Sequence, residues 1–361
     1  MGTLSPHFKL LLSSIEPPAE RLKLAQSIPA DVRDYLQKHE EIFTVQPHSR
    51  LAGSYARETS IGAIKDVDIL IIVHKDYFSG KPSVVLTTLA QVLKGLPEAL
   101  GTSGEVDLRN QRRSIHVCFA DHDFHLDIVP VVMPNGIDRP LLVPDREWQE
   151  WCDTDPLGYQ TWLSDLNAQH GGKVVPLIKL MKHWKECHFV YKRPKSYWLE
   201  CLVVRHISNG WVATDNLSYA ELFTKLLASI YTRFEEQYEN PDAKPPRIPD
   251  PMLGNNVAFN WQRSHFEGFM VRVKESRNWA QRALALDNEQ VEDAVALWQK
   301  VFADTFPPTA EVQAVQAKEY AEARKSDSIF VDQRGRVLTS APAVGAVPAP
   351  AHRFFGDDSP S

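Results

Sequence analysis

The stretch that most constrains the fold is Asp66 to Val73, DVDILIIV. An apolar run bounded by polar residues reads as a buried strand, and in a strand Asp66 and Asp68, two residues apart, project from the same face. Side by side in a buried setting, each carboxylate raises the pKa of the other, and the pair is costly unless a cation lies between them. Magnesium is the natural counter-ion, because it accepts carboxylate oxygens and keeps coordination positions for phosphate.

The chain is long enough, at 361 residues with 43% hydrophobic content, to bury a sizeable core in about two domains. Its formal net charge of -6 argues against a long nucleic-acid clamp, whose footprint is ordinarily basic, and favours a small-molecule substrate. Cys118, Cys152, Cys187 and Cys201 form no CxxC pair, so neither a disulfide framework nor a zinc ribbon is indicated. The apolar patch Phe8 to Ile15 is too short for a signal peptide or a membrane span. The expectation is a soluble cytoplasmic protein with no membrane partner.

Read in order, residues 7–43 have helical spacing with a proline break and are expected to pack on the catalytic lobe. Residues 83–100 read as an amphipathic helix, and strand-like runs follow at 105–108, 114–119 and 124–132. This predicts an α+β catalytic lobe over residues 1–150. From Asp153 the pattern changes to long helical segments rich in Trp and Leu, at about 156–168, 172–188, 196–209, 216–239, 263–286 and 288–303. A helical lobe over 151–325 is expected, crossed by a loop at 240–256 that carries Pro241, Pro245, Pro246, Pro249 and Pro251. Residues 326–361, rich in Ala, Pro, Ser and Gly, read as a flexible tail.

Asp127 in FHLDIVPVV supplies a third carboxylate on a second strand. Two carboxylates on one strand and a single one on its neighbour are what a two-metal phosphoryl or nucleotidyl transfer site requires. Upstream, Gly53-Ser54 offers a turn where backbone can approach phosphate and a hydroxyl can donate. Within the helical lobe, Lys173, Lys179, Lys182, Lys185, Lys192, Arg193 and Lys195 face a single acid, Glu186, over 173–195. That excess suggests a polyphosphate receptor, with Lys182 and Ser196 on the triphosphate and Tyr197 under a base. The competing reading makes Lys182 part of a solvated helix face and Tyr197 part of a core stripe. His125, beside Asp127, is expected to be a packed residue rather than a ligand.

Together GSYARETSI, DVDILIIV, HLDIVPVV, LMKHWKEC and KSYWLECL, in this order across about residues 45–320, resemble the cGAS/DncV-like nucleotidyltransferases. These are relatives of the oligoadenylate synthetases within the polymerase-β superfamily. The resemblance implies a bilobal polymerase-β-like fold with the active site in the cleft, and synthesis of a cyclic oligonucleotide second messenger, expected to be a cyclic dinucleotide, from nucleoside triphosphates in bacterial antiphage defence. It makes Asp66, Asp68 and Asp127 the catalytic residues, holding two magnesium ions with manganese as the alternative. Gly53, Ser54, Lys182 and Ser196 become triphosphate contacts, and Tyr197 a base-stacking residue. A messenger-activated effector would act downstream. A ubiquitin-transfer-like conjugation partner would act at the tail near Gly356, although Gly356 is followed by five further residues. The zinc-ribbon insertion and basic DNA-binding surfaces of the animal DNA sensor are not found in the sequence. The competing functions are a linear oligonucleotide polymerase, oligoadenylate-like or RNA-tailing, and an interaction protein that works through its tail.

Overall fold

The computed structural model describes residues 4–101, 106–137, 140–189 and 194–325, together with the short segments 330–331, 337–338 and 347–348. The fold is α+β and bilobal. Its sheet comprises β1 (Thr44–Ala52), β2 (Asp66–Val73), β3 (Val106–Asn110), β4 (Ile115–Phe119), β5 (Phe124–Val132), β6 (Leu141–Asp145) and β7 (Glu150–Thr154). The strands run in the order β1-β2-β5-β4-β3, with β6 and β7 continuing from β5. β2 and β5 are parallel and the other neighbours antiparallel.

The period of two in DVDILIIV decides which face holds what. Val67, Ile69, Ile71 and Val73 turn toward α2 (Ala19–Lys38) and α4 (Pro82–Leu93), whose apolar stripes supply Ile28, Val32 and Leu36 and then Val85, Leu86 and Leu89. Asp66 and Asp68 therefore share the opposite face with Leu70 and Ile72, which meet Val131, Leu141 and Val143 in a smaller apolar cluster.

The helical lobe contains α6 (Pro156–Gln169), α7 (Val174–His188), α8 (Ser196–Ser208), α9 (Tyr219–Glu239), α10 (Arg263–Ala285), α11 (Val291–Phe302) and α12 (Thr309–Lys325). Local signals fix several starts. Asp155 accepts from Gly158 N-H ahead of Pro156 to cap α6, and Ser218 with Glu221 forms a capping box on α9. The proline-rich stretch 240–256 is a loop pinned by Asp250, whose Oδ1 accepts the N-H groups of Met252 and Leu253.

Three expectations are corrected. The first helix, α1 (Ser5–Ile15), packs on the helical lobe instead of the catalytic one: Phe8 meets Trp298 edge-on with ring centroids 4.8 Å apart and also touches Phe302 and Phe306. Its apolar stripe says that it is buried, and the aromatic ends of α11 and the following turn say where. Next, α2 runs through Pro29 rather than breaking there, because Ile28, Val32 and Leu36 stay on one buried face and hold both halves against the sheet. Finally, the amphipathic stretch 83–100 divides at Lys94-Gly95 into α4 and the short α5 (Leu96–Leu100), where Pro97 sits in the first turn. Within 326–361 the described residues are three two-residue strands, Phe330–Val331, Val337–Leu338 and Val347–Pro348, paired antiparallel. Gly356 lies outside the described residues, as do Lys192 and Arg193 of the basic run.

Candidate active site

Register brings the carboxylates together. In the parallel β2/β5 pair, Asp68 is the direct partner of Asp127, and Asp66 that of His125. The carboxyl of Asp68 is pushed up to about 6, first by burial and then by the adjacent Asp127, with Asp66 adding to the rise and Arg57 opposing it. A half-buried acid crowded by two others fits a site built for a cation. Among the described residues no group of three or more His, Cys, Asp and Glu closes around a point as an ion cage. The carboxylates instead form an open arrangement, with Asp66 exposed at the strand mouth, which suits an ion that keeps water and phosphate as ligands.

Gly53 follows β1 at the turn into a four-residue helix, α3 (Gly53–Ala56), with φ +72°. A Cβ placed there would stand 1.7 Å from Asp68 Oδ2, so the backbone of the Gly-Ser turn lies directly against the Asp68 carboxylate. Only glycine combines that backbone angle with that approach. Ser54 Oγ accepts from Ser60 Oγ at 3.0 Å, and its carbonyl accepts from Thr59 N-H at 2.9 Å, which closes the turn.

His116 was not singled out from the sequence. On β4 it is the antiparallel partner of Asp127, and its Nδ1 lies 2.8 Å from Asp127 Oδ1. A histidine that fixes the rotamer of a metal-binding carboxylate is a recurrent outer-shell device. His125 stacks on it with centroids 4.9 Å apart, a packed residue as expected.

The basic run behaves differently from the expectation. α7 is the central helix of its lobe, and Lys179, Lys182 and Lys185 are all buried. Lys173 donates to the carbonyls of Thr214 and Leu217, and Lys179 to Glu16. Lys182 Nζ donates to Thr59 O, Thr59 Oγ1 and Glu200 Oε2, each at 2.9 Å, which uses all three of its protons. Placed so, Lys182 is a buried tie between the lobes and not an open phosphate contact. Arg57 completes the tie, donating from Nε to Glu200 Oε1 at 2.6 Å. Although fully buried, Glu200 stays below the usual carboxylate range: Lys182 and Arg57 outweigh the upward push of desolvation.

One turn further along α7, Lys185 donates to Ser196 Oγ at 2.8 Å, at the first residue of α8. Ser196 is exposed there, so a buried lysine, a hydroxyl and the start of a 13-residue helix coincide. Tyr197 is half-buried; it donates to Asp250 Oδ2 at 2.7 Å, and Arg57 lies 5.5 Å from its ring centroid. Gly53, Asp66, Asp68 and Asp127 thus form one group on the sheet, with Arg57 and Thr59 linking it to Glu200 and Lys182. Lys185, Ser196 and Tyr197 form a second group around the start of α8.

Comparison with known proteins follows from this geometry. The sequence profile of the Second Messenger Oligonucleotide or Dinucleotide Synthetase domain matches residues 1–167. A cyclic AMP-AMP-AMP synthase of Acinetobacter sp. is 32% identical over 330 residues, which cover 88% of this chain and 90% of that protein. Among solved structures, E. coli MS115-1 CdnC with ATP superposes with a TM-score of 0.62 at 18% identity, covering 84% of this chain and 98% of that one. The CD-NTase CdnG of Bradyrhizobium diazoefficiens in complex with GTP gives 0.63 at 15% identity, with coverages of 87% and 98%.

Proposed function

This chain belongs to the second messenger oligonucleotide or dinucleotide synthetases, and on that premise we propose how its residues divide the work. The protein is a nucleotidyltransferase that makes a cyclic oligonucleotide from nucleoside triphosphates in bacterial antiphage defence. The observation that carries the assignment of its centre is the Asp68–Asp127 pairing beneath Gly53.

In our reading Asp66, Asp68 and Asp127 hold two divalent ions, magnesium or manganese in kind. Bound there, such ions lower the pKa of the attacking hydroxyl and neutralise the departing pyrophosphate. Gly53 keeps the turn close enough to fix the Asp68 carboxylate, and His116 orients Asp127. The Ser54 hydroxyl, Lys185 and Ser196 receive the triphosphate, and Tyr197, steadied by Asp250, presents an aromatic face to a base. Lys182 takes no direct part in this scheme; with Glu200, Arg57 and Thr59 it sets the spacing of the two groups.

The expectation of a cyclic dinucleotide gives way here to a three-membered ring of adenylates, a reading supported by the 32% identity with a cyclic AMP-AMP-AMP synthase over most of both chains. The test is to incubate the protein with all four nucleoside triphosphates and magnesium, treat with phosphatase and determine the product mass. A phosphatase-resistant cyclic triadenylate is expected, absent with Asp68→Ala. A nuclease-sensitive linear ladder would instead favour a linear polymerase.

A further inference from the structure

At the far end of α8 from Ser196, about 14 Å along the helix axis at 1.5 Å per residue, the end of α8 and one face of α9 enclose a groove of about 1090 Å³. This lies at the upper end of the roughly 300–1,000 Å³ of a pocket for one small molecule. Its cations are Arg205, Lys225, Arg233 and Arg247, and its aromatics are Trp211 and Phe234.

Compensation there is slight: the Glu221 carboxyl, held down first by its bonds to Ser218, is lowered further by Lys225 without forming an ion pair. Among the described residues none of the four cations forms an ion pair with a carboxylate. Glu221, one turn from Lys225, spends its carboxylate on the Ser218 cap at 2.7 and 2.8 Å. Arg205 is fixed by a neutral partner, donating to the carbonyl of Arg247 at 2.9 Å. Two neighbouring groups register the field: Arg205 is lowered by burial and then by Arg233, and the buried His206 is held down at about 3 by burial and then by Arg233 and Arg205. A chain of net charge -6 gains nothing in stability from crowding cations in this way.

The shape selects the anion. Arg233 sits over Trp211, its guanidinium carbon 3.3 Å from the ring centroid, and Arg205 flanks the same ring at 5.2 Å. Guanidinium groups around an indole offer π faces to nucleobases, and arginine forks match phosphate oxygens two at a time. Acidic peptides would use the charge but not the π faces. The α9 residues lining the groove, from Lys225 to Gln237, span about 18 Å of helix, so the track holds only a few nucleotides. That limit agrees with an overall charge that disfavours a long nucleic-acid clamp.

We infer that this groove is a second binding site, separate from the catalytic cleft, for a short phosphodiester-linked oligonucleotide. Two sources share that chemistry: the enzyme's own product and a short RNA from elsewhere in the cell.

The experiment uses the full chain in chelator with saturating ATP, which keeps the cleft occupied without turnover, and follows the anisotropy of a labelled single-stranded RNA of about five nucleotides. Between about 50 and 200 mM salt, Arg233→Glu with Arg247→Glu is expected to weaken binding about tenfold or more and to reduce the salt slope by about 1.4. Asp68→Asn is expected to leave affinity unchanged. Lys225→Glu, exposed on α9, serves as an independent variant, and the groove variants at Lys225, Arg233 and Arg247 are checked for unaltered melting and unaltered basal synthesis. Displacement by unlabelled cyclic product identifies the enzyme's own output as the source, and displacement by linear RNA alone identifies an outside one. RNA binding indifferent to the charge reversals, or equal displacement by an acidic peptide or by inorganic tripolyphosphate, overturns the proposal. Because the readout is binding in the absence of turnover, its failure is distinct from failure of the catalytic assignment.

Discussion

Asp68 and Asp127 are direct cross-strand partners in the parallel β2/β5 pair, and Asp68 is the one whose carboxyl is pushed up to about 6. The unfolded chain releases that proton near 3.8, so the metal-free native state holds a proton which the unfolded state has lost between the two values. Stability therefore declines as pH rises from about 4 to about 6, by at most about 3 kcal/mol, and is level above that. In chelator at pH 8, Asp68→Asn is expected to melt higher than the parent, with the difference vanishing below about pH 4. With magnesium restored, the same variant should lose about a thousandfold or more in turnover. Paired melting curves and product assays check both halves.

Gly53→Ala should separate folding from catalysis. The added methyl lands on Asp68 Oδ2 in a backbone of φ +72°, a strain of about 1–3 kcal/mol. The carboxylate can yield by rotating away, which keeps the fold and spoils the site. A cooperative melt with a loss of about a hundredfold or more in kcat is expected. Wild-type turnover in this variant would show that the turn does not position Asp68.

Lys182→Met tests the buried tie. Loss of Lys182 leaves Glu200 paired with Arg57 and bonded to Thr59 but removes one charge-assisted hydrogen bond from a buried carboxylate, at a cost of about 1.5–3 kcal/mol. Since Glu200 is held below the ordinary carboxylate range, the tie is at full strength above about 4.5 and is lost as pH falls through the folded value. The expected signature is a fall in denaturation midpoint that deepens on adding Glu200→Gln, which leaves the buried Arg57 without its carboxylate. A raised KM for ATP with unchanged stability would return Lys182 to the triphosphate.

Lys185→Ala and Ser196→Ala should give that KM signature instead. Each removes one partner of a 2.8 Å hydrogen bond at the start of α8. A lost charge-assisted contact is worth about 1.5–3 kcal/mol, or about ten- to a hundredfold in kcat/KM. Kinetics over a range of ATP concentrations distinguish this from the stability loss at Lys182.

His116→Ala is expected to lower activity about 10–100-fold and to shift the magnesium requirement upward, as loss of an outer-shell partner does. A magnesium titration of initial rate reads the shift directly. An unchanged requirement would make His116 a packing residue.

The legible part of this site is the part written at short range. The alternation in DVDILIIV places both aspartates on one face, and the same alternation in FHLDIVPVV places Asp127. His116 became visible only through the β4/β5 register, which no local pattern encodes. Lys182 was misread for a similar reason: its partners are 18 and 123 residues away, and a lysine that looks solvent-facing in a basic run is buried once Glu200 and Thr59 surround it. The destination of α1 was hidden too, since an amphipathic stripe states that a helix is covered without stating by which lobe.

That helix has a consequence for how the protein is made. Phe8 and Leu11 are fully buried, and the aromatic partners of Phe8 begin at Trp298, so this part of the cover on α1 forms only after α11 has been made. At about 5–20 residues per second the wait is about 15–60 s. The catalytic sheet can assemble meanwhile, because its strands and covering helices lie between the two ends of this contact. Closure of α1 against α11 is then a late, long-range step, and a nascent chain halted before Trp298 would leave Phe8 without its aromatic partners.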